Sequence, residues 1–288
     1  MCTTCGCSAT TSAVDAGPAT GQEDHAHAHA HRENDSHWHV HSDGTSHSHA
    51  HEHGDEHVHA PAQRVTLEQQ ILAKNQQLAE RNRGWLAGRG VLALNLVSAP
   101  GSGKTTLLER TLRDLRGELV IGVVEGDQAT QIDAERIRAT GCPVIQVNTG
   151  TGCHLEADML ARGLQHLDPP SGSVVLVENV GNLVCPALFD LGEQAKVVIL
   201  SVTEGEDKPL KYPHMFRASD LMLLNKIDLL PHLRFDLQRC IGYARQVNPS
   251  MRVLCVSAQT GEGMAGWYDF LRERHAATRR DARVIEGG

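Results

Sequence analysis

Three thiols stand within the first seven residues, MCTTCGC, at Cys2, Cys5 and Cys7. Thiolates this close in sequence grip a transition ion. With a backbone nitrogen or the α-amine as a further donor, a planar set suits Ni2+ and a tetrahedral set Zn2+. Gly6 lets the chain turn tightly between the last two sulfurs. C-x-x-C also serves as a redox pair, but such a pair opens a helix in a βαβ setting that this end of the chain lacks. Thirteen of the eighteen histidines follow, His25, His27, His29, His31, His37, His39, His41, His47, His49, His51, His53, His57 and His59, mostly as His-x-His. Neutral imidazoles at that density form a polydentate surface for Ni, Zn, Cu or Co. The inert alternatives are a purification tag or a solvated linker; a tag would run unbroken, and this tract is interleaved with acids. Nickel is preferred, for the planar option and the histidines nearby. A second soft set lies far downstream, with Cys153 and His154 adjacent in VNTGTGCHLEADM and Cys185 in ENVGNLVCP. Three ligands leave one position for water or a neighbouring chain. Cys142, Cys240 and Cys255 lack such neighbours and read as core thiols.

A different chemistry sits between these sets. VLALNLVSAPGSGKTTLLERTL joins an apolar run, a Gly-rich turn and a helical pattern from Lys104, the setting of a phosphate-binding P-loop. Backbone N–H groups around Gly101, Ser102 and Gly103 would wrap the β-phosphate at a helix N-terminus, where the dipole favours an anion. Lys104 would reach the β- and γ-phosphates, the Thr105 hydroxyl would ligate Mg2+, and Thr106 is assigned to the nucleotide with them. Ser98 stands where the general pattern has glycine, a departure that leaves the phosphate-contacting half intact. In SDLMLLNKIDLLP, the Asp228 carboxylate could accept from guanine N1–H and the 2-amino group. Adenine has no such pair of donors, so GTP is favoured over ATP. Asn225 and Lys226 would brace the loop and cover the base, and Ser257 and Ala258 fit the loop whose backbone touches the guanine oxygen. Asp127 in VVEGDQATQID could reach Mg2+ directly or through water. Glu178 in VVLVENVGN takes the acid position of a D-x-x-G motif, with the Gly181 N–H placed to sense the γ-phosphate. A turn residue and a helix-capping acid are the inert readings of these two carboxylates. Lys104, Asp127 and Glu178 form the candidate catalytic set. No catalytic base and no arginine for the transferring phosphoryl group stands out, so slow turnover is expected.

These residues need a scaffold, and the sequence divides accordingly. Residues 1–62 are nearly bare of large aliphatics and cannot offset the entropy of ordering, so a disordered Cys/His-rich tail is expected. The runs at 91–97, 119–124, 174–180 and 196–202 are dense in Val, Leu and Ile and read as buried strands. Residues 63–275 are read as one α/β P-loop NTPase domain, a mostly parallel sheet flanked by helices, with 276–288 as a tail. A lead-in helix opens at Thr66, with Gln69 at capping-box spacing and Leu67, Ile71, Leu72 and Leu78 as its core stripe. The formal charge of -8 argues against a nucleic-acid partner. No run approaches a membrane span and no signal peptide is present, so a cytoplasmic protein is expected.

MCTTCGC, the His-rich tract, PGSGKT, EGDQAT, GCHLEADM, ENVGNLVCP and NKIDLLP together resemble the HypB family, nickel-inserting GTPases of [NiFe]-hydrogenase maturation. The similarity runs to about Phe270, with the His-rich tract loosely matched. Urease accessory GTPases share the switch but are not expected to carry MCTTCGC or ENVGNLVCP. The resemblance implies a SIMIBI-class GTPase that forms a homodimer promoted by nucleotide or metal. It implies nickel at Cys2, Cys5 and Cys7, and Ni2+ or Zn2+ at Cys153, His154 and Cys185 near the dimer interface. It further implies a HypA-type nickel chaperone and the hydrogenase large-subunit precursor as partners, with storage in the His-rich tract. Two rivals remain: a metal buffer indifferent to nucleotide, and an ATP-specific P-loop enzyme.

Overall fold

A computed structural model describes the backbone of residues 37–40, 46–49, 60–127 and 132–286, with side chains over 67–126 and 133–284. Cys2, Cys5, Cys7 and the histidine side chains of the tract lie outside the described residues, as does the side chain of Asp127. Of the segment expected to lack structure, two strands are described, β1 (His37–Val40) and β2 (Ser46–His49). They pair antiparallel with His37 opposite His49. The chain divides into two compact units near Leu67, and the hairpin belongs to the first.

The second unit is built on one sheet. Its strands are β3 (Leu92–Ser98), β4 (Ile121–Asp127), β5 (Val144–Asn148), β6 (Val174–Glu178), β7 (Ala195–Ser201), β8 (Leu221–Asn225) and β9 (Arg252–Cys255). Their order is β5-β4-β6-β3-β7-β8-β9 and every pairing is parallel. Parallel strands carry helices on both faces, which is why β3, β6, β7 and β8 are buried along their whole length and mostly apolar. Leu92, Leu94 and Leu96 of β3 enter one core, while Ala93 and Val97 enter the cores of the opposite face. The helices are α1 (Ala60–Gly88), α2 (Lys104–Asp114), α3 (Ile132–Arg138), α4 (Ala157–Leu167), α5 (Lys208–Lys211), α6 (Pro213–Arg217), α7 (Leu237–Val247) and α8 (Met264–Glu286). From β3 the chain runs outward to β4 and β5, returns to β6, then crosses to β7 on the far side. That reversal leaves a crevice at the C-terminal end of β3, where α/β sheets bind ligands.

Two elements differ from the sequence reading. α1 begins at Ala60, so Thr66 lies inside the helix and is not its cap; Pro61 is tolerated in a first turn. The expected stripe is also displaced: Leu67 and Ile71 are exposed, and the buried positions are Asn75, Ala79, Asn82 and Leu86. The helix docks partly through amides. Asn75 donates to Asp190 O (2.7 Å), and Asn82 to Ala157 O (2.8 Å) and Leu191 O (2.9 Å). Apolar periodicity is blind to such a face. At the other end, residues 276–286 continue α8 instead of forming a separate tail. His275 Nε2 lies 2.7 Å from Gly172 O and Ala282 is buried, so this last stretch is anchored. Trp267 ties α8 to α2 by donating to Thr111 Oγ1 at 2.9 Å. No described helix is long and apolar enough to cross a membrane.

Candidate functional site

The crevice opens directly onto the P-loop. β3 ends at Ser98, the chain turns through Gly101 (φ 78°) and Gly103 (φ 91°), and α2 starts at Lys104. Both glycines are left-handed, a conformation that costs a residue with a Cβ. A Cβ on Gly103 would also meet Asn225 Nδ2 at 2.6 Å. The first-turn N–H groups of α2 lack intrahelical acceptors, so they face the cleft as donors for an anion. The cleft has a volume of about 590 Å³ and is lined by the whole loop from Ser98 to Thr106, with Glu125, Glu178 and Gly181.

Strand β8 presents the next group. Asn225 donates to Ser102 O at 2.9 Å and accepts the Ala258 N–H at 3.1 Å; Lys226, itself left-handed, donates to Gly101 O at 2.7 Å. These side chains fix the P-loop against the loop after β9. Ser257 donates to Asp228 Oδ1 at 2.5 Å and aims that carboxylate. The Ala258 N–H is engaged by Asn225 and not left open toward a base oxygen.

Lys104 and Thr105 converge on one carboxylate. Glu178 Oε1 accepts from Lys104 Nζ at 2.9 Å and from Thr105 Oγ1 at 2.8 Å. Its Oε2 is buried without a hydrogen-bond partner. A carboxylate oxygen left orphaned beside a threonine hydroxyl, in a cleft lined by N–H donors, suits a hard cation such as Mg2+. Gly181 packs so closely on the P-loop that a Cβ would lie 3.1 Å from Pro100 Cγ. Glu125 and Arg136 are among the cleft residues that the sequence does not single out. Glu125 pairs in register with Glu178 across β4 and β6. Arg136 of α3 also lines the cleft, bound to Glu109.

The loop that leaves Glu178 brings Cys185 against the loop between β5 and α4, which carries Cys153 and His154. Cys153, His154 and Cys185 are brought together, their ligand atoms all within 4.8 Å, and no other such group occurs among the described residues. The two sulfurs lie 3.0 Å apart, and His154 Nδ1 is 3.8 Å from Cys153 Sγ. Burial pushes the His154 imidazole down to about 4, which keeps it neutral and able to ligate at physiological pH. Its Nε2 is buried without a hydrogen bond, and its ring rests on Phe189 with centroids 4.0 Å apart. Two thiols and an imidazole with one unsatisfied nitrogen suit a soft or borderline ion. Burial pushes the Cys142 thiol up to about 11 and Cys240 to about 12, as for inert core thiols.

The arms of this cradle are held from behind by polar side chains. Asn179 Oδ1 accepts from Leu155 N, next to His154, while its amide donates to Asn95. Asn182 donates to Cys153 O at 3.3 Å. Buried Lys196 donates to Pro186 O at 2.7 Å, next to Cys185, and lies 3.7 Å from buried Glu193. Asn75 accepts from Ala157 N, where α4 begins. None of these was singled out in the sequence. Each is an ordinary polar residue until its partner is known.

An all-parallel sheet with a P-loop at its reversal point, Asn-Lys-x-Asp closing β8 and an acid–x–x–Gly loop after β6 defines a P-loop GTPase of the SIMIBI class. Residues 92–255 match the family described as CobW/HypB/UreG, nucleotide-binding domain. The chain is 58% identical over 220 residues to the hydrogenase maturation factor HypB of Azotobacter chroococcum, spanning 76% of this chain and 72% of that one. Among solved structures it resembles HypB from Archaeoglobus fulgidus, with TM-score 0.66 and 41% identity over 70% of this chain and 99% of that. It also resembles HypB from Helicobacter pylori in complex with nickel, with TM-score 0.66 and 35% identity over 71% and 96%. The chain belongs to the HypB family of hydrogenase maturation factors.

Proposed function

We propose that this protein is a GTP-hydrolysing metallochaperone that carries Ni2+ to a [NiFe]-hydrogenase large-subunit precursor. One observation carries the reading: the three soft donors lie within 4.8 Å of one another, and one of them, Cys185, is on the loop that runs from the nucleotide carboxylate Glu178. The nickel-bound structure of the Helicobacter pylori relative supports the choice of cargo. GTP would sit with its phosphates on Gly101, Ser102, Gly103, Lys104, Thr105 and Thr106 and its base at Asp228. Thr105, Asp127 and Glu178 would hold Mg2+, which neutralises charge between the β- and γ-phosphates. Lys104 would leave Glu178 for the phosphates, and Glu178 would then turn its carboxylate to the ion.

That exchange is the proposed switch. Asn179 follows Glu178 and bonds Leu155, so a shift at the carboxylate moves both arms of the cradle. Cys153, His154 and Cys185 would therefore grip nickel, or zinc, differently in the GTP and GDP states. A coupling of about 1–3 kcal/mol, or 5- to 150-fold in affinity, is the usual scale. A second copy of the chain would supply the missing ligand, making the working form a homodimer. Cys2, Cys5 and Cys7 would hold incoming nickel, the His-rich tract would store it, and a HypA-type chaperone would share the transfer in the cytoplasm.

The test is nickel titration of the wild type and of a Cys153→Ala/Cys185→Ala variant, in GDP and in a non-hydrolysable GTP analogue, beside GTP and ATP hydrolysis. Wild type should differ between nucleotides and the variant should not. Equal wild-type affinities would remove the coupling, and hydrolysis of ATP alone would remove the guanine reading.

A further inference from the structure

Three cations line the nucleotide cleft among the described residues: Lys104, Lys226 and Arg136. Two have structural engagements that leave them near their working places. Lys104 is paired with the buried Glu178, and Lys226 braces the backbone of Gly101. Arg136 is different. Its guanidinium bonds Glu109 Oε2 at 2.9 Å, Asp133 Oδ1 at 3.3 Å and Thr106 Oγ1 at 3.2 Å. Its side chain keeps 40% of its exposure. The Glu109 side chain keeps only 13% of its exposure, so the pair is open to water on the arginine side, where a guanidinium fork fits a phosphate as well as a carboxylate. Thr106 directly follows the proposed Mg2+ ligand Thr105, so the fork already touches the edge of the phosphate cradle. Arg136 also stands on α3, the first helix after Asp127 at the end of β4.

We propose that Arg136 is the cation that stabilises the transferring γ-phosphoryl group, supplied within the chain and held aside by Glu109 until the triphosphate draws it in. The inference rests on the GTP-hydrolysis reading above and adds its missing charge. Water adds to the γ-phosphorus while the bond to the β–γ bridging oxygen breaks, giving GDP and inorganic phosphate. Arg136 transfers no proton; it neutralises charge on the equatorial oxygens, where a rigid fork acts most strongly. Basal turnover is slow because the resting partner is Glu109. The competing explanation is a clasp between α2 and α3, in which Arg136 and Glu109 matter equally and only for folding.

The experiment compares full-length wild type, Arg136→Ala, Arg136→Lys and Glu109→Gln. It reads single-turnover GTP hydrolysis with Mg2+, and affinity for GDP with and without aluminium fluoride as a transition-state mimic. Arg136→Ala should lose at least about tenfold in rate and the affinity gained from fluoroaluminate, while GDP affinity stays within about twofold. Arg136→Lys keeps the charge without the fork and should recover the loss only in part. Glu109→Gln should keep or raise the rate. Equal losses in Arg136→Ala and Glu109→Gln would establish the clasp and overturn the proposal, as would an unchanged Arg136→Ala rate or a matching loss of GDP affinity. A wild type that hydrolyses no GTP would instead defeat the hydrolysis reading, and Arg136 with it.

Discussion

The nucleotide cleft and the thiol cradle are neighbours on the same loop, yet they are held together by opposite means. The cleft is made largely of backbone: left-handed glycines, the open N-terminus of α2 and a few side chains that brace them. The cradle is three donors on two loops, kept in place by amides and an ammonium from distant elements. Asn75 reaches Asp190 across 115 positions of sequence, and Asn179 reaches Leu155 across 24. A backbone site is rigid because its peptide groups have little else to do. A site held by long-range hydrogen bonds can be loosened by one shift, as a site that must release its cargo requires.

The largest expected effect separates the two regions outright. Lys104→Met should cut GTP turnover by about 10³-fold, the scale of one lost charge-stabilising donor. Nickel should still bind at the cradle, whose three ligands are untouched, but its affinity should no longer differ between GTP and GDP, because the Lys104 exchange at Glu178 is gone. A parallel loss of nickel would mean the regions are one site. Lys196→Met comes next, because it strips the cation from buried Glu193 and the donor from Pro186 O. Removing one partner of a buried pair costs about 3 kcal/mol in denaturant unfolding at neutral pH. Burial holds the Glu193 carboxyl above the usual carboxylate range, and the Lys196 charge works against that. Without Lys196 the cost is greatest while Glu193 is ionised. The stability gap should therefore narrow as pH falls through the raised pKa of Glu193. A gap that is flat with pH would show that the ammonium matters only for the carbonyls. Third, Cys185→Ala should weaken nickel binding by on the order of 100-fold, about 2.7 kcal/mol, with GTP turnover retained. Titration monitored through the thiolate-to-nickel absorption would register it, and unchanged affinity would place the ion elsewhere.

The same contrast explains what could be read from sequence. Four apolar runs became β3, β4, β6 and β7, because a strand covered on both faces is mostly apolar along its length. The P-loop was legible because its chemistry is local: glycines for positive φ, then a lysine and a threonine on the helix they start. Cys153, His154 and Cys185 were found by donor type, although only the fold puts the two sulfurs 3.0 Å apart. The supporting shell stayed hidden. Asn75 and Asn82 replace aliphatics on the buried face of α1, so the stripe was placed on Leu67 and Ile71, which are exposed. Arg136 sits among charges in DAERIR, and nothing in that string singles it out until α3 lays it over the cleft. Residues 276–286 are mostly polar, and what fixes them is the contact of the preceding His275 with Gly172 on a far loop and the burial of Ala282.

The smallest change gives the finest test of this contrast. Asn182 spans the cradle: its amide donates to Cys153 O at 3.3 Å, and its carbonyl accepts the Val184 N–H at 2.8 Å, one residue from Cys185. Asn182→Ala removes no ligand and leaves Glu178, Asn179 and Gly181 in place. One long and one ordinary hydrogen bond go, for a stability loss of about 1 kcal/mol. Groups that orient metal ligands are worth 10- to 100-fold in affinity, and a contact to a ligand's backbone belongs at about the lower end. Nickel affinity should thus fall roughly tenfold while GTP turnover is unchanged, and the difference between GTP and GDP states should shrink, since the arms no longer move as one. If affinity falls equally in both nucleotides with the difference preserved, coupling runs through Asn179 alone. If nothing changes, the cradle is as rigid as the cleft, and the release mechanism drawn from its long-range hydrogen bonds is wrong.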